Sequence, residues 1–338
     1  MPDHDAYLEA VVAELRGRAG RFSGKLASIY LGGGTPSLWR PDCIARVIAE
    51  VRATFGEPVE VTIEANPSDC TDDMLAAWRA AGVNRLSIGV QSLAADELVV
   101  LGRDHRFGDG PAALARALAH GGFTTSSDFI LGTPTARKND LAWVEPITST
   151  GVDHLSVYEL TIEDRTAFGQ RVRSGRLVPI DDDTLADLYT RTHDALAAAG
   201  FEHYEISSYA RPGKRAIHNS LYWSGAPFLG LGVGAASLAI AADGSGERAT
   251  NPRRAAEYLA APGTPAEVVR STPAEMRVDR AWLGMRTRDG VAEAELPVEV
   301  TTWLLGEGLA ERREARICPT LRGFLMADRI AARITQAL

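Results

Sequence analysis

Along residues 1 to 210 the chain repeats one phrase: a helical pattern, a glycine, then a short apolar or β-branched run. It occurs as AAWRAAGVNRLSIGV, ARALAHGGFTTSSDFILG, ITSTGVDHLSVYEL and HDALAAAGFEHYEIS. Gly82, Gly121, Gly151 and Gly200 stand where a helix ends in a left-handed residue and the chain turns into a strand. Helix starts are equally legible. Thr71 with Asp72 and Asp73, and Asp181 to Asp183 before TLADLY, place capping oxygens and acids where the helix dipole is positive. Strands alternating with helices of this length form right-handed βαβ units around a parallel sheet. An open doubly wound sheet and a (β/α) barrel both satisfy that pattern.

The stretch SIYLGGGTPSL breaks the rhythm, because an apolar run stops at Gly32, Gly33 and Gly34, followed by Thr35. Three glycines at a strand end mark close backbone approach to a ligand or to a neighbouring strand. The spacing is not that of a dinucleotide-binding turn, and no lysine follows to make a phosphate loop. Polar residues recur at equivalent strand positions: Glu64 with Asn66 ends VTIEAN, Gln91 with Ser92 ends LSIGVQS, and Asp128 lies in SSDFIL. Singly, these read as a cap acid, a loop amide and a core carboxylate. Together, at the C-terminal ends of successive strands, they converge on one mouth, where (β/α) barrels place their functional side chains.

Composition excludes other classes. A net charge of −8 argues against a general nucleic-acid binder. No apolar run approaches the ~18 residues of a transmembrane helix, and MPDHDAYLEA has no signal-peptide core, which suggests a cytoplasmic protein. Cys43, Cys70 and Cys318 match no zinc or iron–sulfur spacing.

The ordered set GGGTPS, TIEANP, AGVNRLSIGVQS, LGRDH, DFILGTP and HNSLYW resembles the oxygen-independent coproporphyrinogen III oxidase family of radical S-adenosylmethionine (SAM) proteins, and HNSLYW is similar to its haem-chaperone branch. The resemblance runs from about residue 5 to the C-terminus. It implies a partial parallel (β/α) barrel over residues 1–210, a connecting segment over 211–250 and a C-terminal, mainly helical, winged-helix-like domain over 251–338. It also implies that Gly33, Gly34 and Thr35 approach the methionyl end of SAM, with Glu64, Gln91, Arg103 and Asp128 completing the pocket and Arg103 on the SAM carboxylate. In the connecting segment, His218 becomes a candidate axial haem ligand, with Tyr222 and Trp223 as porphyrin-packing groups; the plainer alternative is a loop histidine beside core aromatics.

One departure is sharp. The family's [4Fe–4S] cluster rests on a CxxxCxxC loop after the first strand, and residues 1–338 contain no such motif. The chain opens on a helical pattern, with Tyr7, Leu8, Val11, Val12 and Leu15 on one face, so a barrel lacking its first strand is expected. The strand at Ile29 to Leu31 would then be left with an unpaired edge. The same reading expects a longer working protein, in which about 25 to 40 preceding residues carry the missing strand and cysteine loop.

Three functions compete at this level. The first is a haem carrier that passes haem to an acceptor protein. The second is an oxidative decarboxylase of coproporphyrinogen, which needs the cluster. The third is a barrel enzyme without radical chemistry, which leaves the ordered motifs unexplained. The tail WLLGEGLAERREARICPTLRGFLMADRIAARI reads as helix, hairpin and closing helix, and the near balance of arginines and acids from residue 270 onward points to a lid or docking module rather than a DNA-binding face.

Overall fold

The computed structural model describes residues 3–103, 108–135, 141–163 and 166–337. Asp104 and His105 of the LGRDH segment lie outside these residues. The chain opens with α1 (His4–Arg18), then β1 (Ser28–Leu31), α2 (Pro41–Phe55), β2 (Glu60–Ala65), α3 (Asp72–Ala81), β3 (Arg85–Gln91), α4 (Ala95–Val100) and α5 (Asp109–His120). It continues with β4 (Thr124–Leu131), α6 (Val144–Thr148), β5 (His154–Glu159), α7 (Ala167–Arg173), α8 (Asp182–Ala198), β6 (Glu202–Glu205) and β7 (Ser208–Ala210).

These strands form one curled, open sheet in the order β1-β2-β3-β4-β5-β7-β6, a half-barrel. Strands β1 to β5 are parallel, and among the described residues β1 pairs with β2 alone, at the edge of the sheet. The segment EHYEISSYA folds back on itself, and β7 runs antiparallel between β5 and β6. The punctuation behaves as its chemistry dictates. Gly82, Gly121, Gly151 and Gly200 take φ of 94°, 72°, 90° and 85°. Thr71 Oγ1 accepts from Met74 N–H at 3.3 Å, and Asp181 Oδ1 from Thr184 N–H at 2.8 Å, which caps α3 and α8.

Period-two alternation separates the two faces of the sheet. Ile29, Val61, Ile63, Leu86, Ile88, Phe129, Leu155 and Val157 face the helices and join Val47, Trp78, Leu114 and Ile147 in the main core. Their alternate neighbours, Tyr30, Thr62, Glu64, Ser87, Asp128, Ser156 and Tyr158, occupy the opposite face. The fold thus holds polar side chains in a row on a face that no helix of the barrel covers.

Beyond the half-barrel come α9 (Ile217–Trp223), β8 (Ala236–Ile240), β9 (Gly246–Thr250), α10 (Ala255–Ala260), β10 (Glu267–Ser271) and α11 (Pro273–Gly284). The order β10-β9-β8 makes a three-stranded antiparallel sheet that bridges residue 250. The remainder is β11 (Val291–Ala292), α12 (Val298–Gly306), β12 (Ala310–Arg313), β13 (Arg316–Pro319), α13 (Leu321–Leu325) and α14 (Ala327–Ala337), with a small core of its own. Its helix, hairpin and closing helix follow the sequence reading.

A buried polar knot ties α1 to this distal part. Glu14, 1% exposed, accepts from Arg18 and Asn251 on Oε1, both at 2.7 Å. Its Oε2 accepts from Gly232 N–H at 2.9 Å and Tyr258 OH at 2.8 Å. Every lone-pair direction of the carboxylate is engaged, which is the condition for burying a charge. Glu14→Ala would leave Arg18 buried without its counter-charge and is expected to lower stability by about 3 to 5 kcal/mol in denaturant unfolding, whereas Tyr258→Phe loses about 1 to 2 kcal/mol.

Candidate functional site

The site is built on the polar face of the sheet, beginning at β1. Gly32 ends that strand, and a Cβ there would lie 2.4 Å from the Tyr30 ring and 2.8 Å from Glu64 Oε1. Glycine at 32 is therefore what lets Tyr30 and Glu64 close over the strand end. Tyr30 OH donates to Glu64 Oε1 at 2.5 Å, and Glu64 Oε2 accepts from Gly33 N–H at 3.3 Å. Gly33 and Gly34 are exposed, with φ of 80° and 149°, and Thr35 begins the short helical turn that leads to α2. The glycine turn thus presents backbone outward beside a carboxylate.

Asp128 stands two strands further on, and Ser87 Oγ donates to it at 2.9 and 3.0 Å. Desolvation by burial pushes its carboxyl up to about 6, against the opposing hydroxyls of Ser156 and Ser87. Among the described residues neither Glu64 nor Asp128 has an ion-pair partner. The charge of Glu64 on the same face adds to the cost of ionising Asp128. Gln91 ends β3 with φ of 67°, one of two non-glycine residues in the left-handed region among the described residues, at a break in the β3–β4 register. Its amide folds back to within 2.7 Å of the place a Cβ on Gly89 would take, so strain at Gln91 returns its side chain over the polar face. Arg103 differs from this group: it stands exposed after α4, its backbone N–H on Leu98 O at 3.0 Å.

His218 approaches the same face from α9. The helix starts on a strand carboxylate: Glu60 Oε2 accepts from Ile217 N–H at 3.0 Å and Glu60 Oε1 from His218 N–H at 2.9 Å. His218 Nδ1 meets Ser28 Oγ at 3.3 Å, and its ring stacks on Tyr30, centroids 4.5 Å apart and planes at 19°. Burial lowers the pKa of the imidazole below its ordinary value, which keeps it neutral at pH 7. In the tautomer with Nδ1–H donating to Ser28, Nε2 carries the ring's lone pair. Tyr222, one helical turn on from His218, is half exposed at 52%. Trp223 points elsewhere, edge-on to Tyr222 at 5.6 Å and 6.0 Å from the Arg286 guanidinium, and its indole N–H supports the buried Glu205. The structure therefore joins Gly33, Glu64, Asp128 and His218 along one face, and places Trp223 as an anchor toward the distal module. Tyr30, Ser28 and Glu60 escaped the motif reading. Their signal is the alternation of polar residues through SIYL and EVTIEA.

The cysteines do not form a thiolate set. Cys43 Sγ donates to His4 O, Cys70 Sγ to Asn66 O and Cys318 Sγ to Asp289 O, each thiol buried in a different setting. Burial raises all three, Cys70 to about 12, so they remain protonated at neutral pH. Among the described residues no three His, Cys, Asp or Glu side chains are grouped to hold a metal ion. The thiols of Cys43, Cys70 and Cys318, buried in three separate settings, do not fit a [4Fe–4S] cluster. Among these residues, too, no helix is long and apolar enough to cross a membrane.

Comparison with known proteins agrees with this geometry. Residues 3–144 match the model of the Radical SAM superfamily. The chain is 36% identical to the heme chaperone HemW of Mycobacterium tuberculosis (strain ATCC 25618 / H37Rv), over 96% of this chain and 85% of that protein. It is 34% identical to the heme chaperone HemW of Escherichia coli (strain K12), over 76% of this chain and 68% of that one. Among solved structures, coproporphyrinogen III oxidase (HemN) from Escherichia coli, a radical SAM enzyme, matches with a TM-score of 0.80 and 22% identity, over 99% of this chain and 84% of that chain. That likeness is one of fold.

The raised pKa of Asp128 gives a stability signature. Its folded-state value, about 6, exceeds the unfolded 3.8, so the folded state binds the proton more tightly and stability falls as pH rises from about 4 through about 6. Asp128→Asn is expected to remove this slope and to stabilise the unliganded protein at pH 7.5 by about 1 to 3 kcal/mol, with the gain fading near pH 4. Denaturant unfolding across that range measures it.

Proposed function

The chain belongs to the HemW-like branch of the radical SAM proteins, and on that premise we propose that it is a haem carrier, binding haem through His218 and releasing it to an acceptor protein. The observation that supports this best is the setting of His218: an imidazole whose pKa burial lowers, in contact with Ser28 at Nδ1 and flat against Tyr30, with no hydrogen-bond partner on Nε2 among the described residues. A ligand to haem iron needs that protonation state and a fixed ring orientation, and a partner on the far nitrogen supplies both. Tyr222 offers an exposed aromatic surface on the same side of α9 for the porphyrin. Trp223 contributes by holding α9 to Glu205 and Arg286 rather than by touching haem.

The second ligand in this reading is SAM, a sulfonium cation carrying an ammonium and a carboxylate. Glu64 and Asp128 would balance its positive charge, the outward N–H groups of Gly33 and Gly34 with Thr35 would meet its methionyl end, and Gln91 would serve a ribose hydroxyl. Arg103 would reach the SAM carboxylate from its exposed turn by a side-chain swing. Haem carriage itself uses none of Cys43, Cys70 or Cys318, so it does not depend on a cluster held by these residues. The oxidase alternative does depend on one.

Haem titrated into the protein is expected to bind with a Soret band characteristic of imidazole ligation. His218→Ala is expected to displace that band and weaken binding about tenfold or more, corresponding to at least ~1.4 kcal/mol. An unchanged spectrum and affinity would reduce His218 to a structural residue and remove the carrier reading's main support.

A further inference from the structure

We infer that Tyr30 is a positioning residue that joins the haem side of the cavity to its SAM side, so that the hydrogen-bonding state of Glu64 governs how well His218 receives haem. This rests on the haem-carrier reading. Tyr30 touches both groups with different parts of one rigid side chain. Its phenol oxygen donates to Glu64 Oε1 at 2.5 Å, and its ring lies against the His218 imidazole with centroids 4.5 Å apart. Glu64 in turn takes Gly33 N–H on its other oxygen, which makes a continuous path from the glycine turn through Glu64 and Tyr30 to His218 and Ser28. The closeness of this path depends on Gly32, where a side chain would collide with both Tyr30 and Glu64.

Two features make the hydroxyl more than packing. First, the two ends of the side chain meet different partners, the ring His218 and the hydroxyl Glu64, so its position is shared between the two. Second, the phenol donates to a carboxylate whose other oxygen is taken by Gly33 N–H, so the hydroxyl is tied to the glycine turn through hydrogen bonds at both oxygens of Glu64. When a cation draws the charge of Glu64, the phenol's acceptor weakens and the ring against His218 loosens. The haem ligand thereby senses whether the carboxylate site is filled, without a conformational change of the backbone.

A double-mutant cycle on haem binding tests this. Haem affinity and Soret position are measured for the unmodified chain, Tyr30→Phe, Glu64→Gln and the double variant. Tyr30→Phe keeps the stacked ring and drops the hydroxyl, while Glu64→Gln keeps the shape and drops the charge at a residue that does not touch His218. Each single variant is expected to weaken haem binding about three- to tenfold with the imidazole-type spectrum retained, and the double variant is expected to be no weaker than either. Additive losses, or a Glu64→Gln variant that binds haem as the unmodified chain does, would overturn the coupling. His218→Ala is run alongside: if it leaves band and affinity unchanged, the haem-carrier reading itself fails and the inference goes with it, an outcome distinct from additivity in the cycle.

Discussion

The carboxylate of Glu60 decides where the candidate haem ligand sits. It lies at the start of β2, buried and 3.7 Å from the Arg85 guanidinium, and it accepts the first two N–H groups of α9. A seven-residue helix has little stability of its own, and its free N–H groups need acceptors. Here the acceptor is supplied by the sheet, so α9 is seated on the half-barrel by a charge-assisted cap rather than by a buried apolar stripe; none of its residues is fully buried. From that seat His218 meets Ser28 and Tyr30 on the neighbouring edge strand. Remove the cap, and the imidazole loses its registry with β1.

The second constraint is electrostatic. The half-barrel turns its apolar residues to the helices and its polar ones inward, and two carboxylates of the inner row, Glu64 and Asp128, lack compensating cations among the described residues. Hydroxyls from Ser87 and Tyr30 relieve only part of that cost. The proposed reading takes this inner row as a site that a bound cation would complete. Its partner feature is the strained Gln91, which turns its amide back over the same face. Elsewhere the chain spends its buried charge differently: Glu14 is saturated with four donors and serves to lock α1 to the distal segments.

Much of this was legible before any coordinates. The helix-glycine-strand refrain predicted the parallel units, and the four glycines adopt the left-handed geometry it requires. Capping at Thr71 and Asp181, the edge position of β1 and the distal helix-hairpin-helix also follow the sequence. Glu64, Asp128 and His218 were found by motif and do share a face. What the sequence did not show were contacts between segments far apart in the chain. Glu60 and His218 are separated by 158 residues, and nothing local marks Glu60 as the cap of a distant helix.

The central claim is that His218 Nε2 is the iron ligand, and a crystal structure of the haem-loaded protein, with iron located by its anomalous signal, tests it most directly. The account predicts an iron peak bonded to His218 Nε2, with Nδ1 still on Ser28 and the Tyr30 ring beside the imidazole. An iron peak bonded to another residue, with His218 still packed as it is without haem, would contradict it.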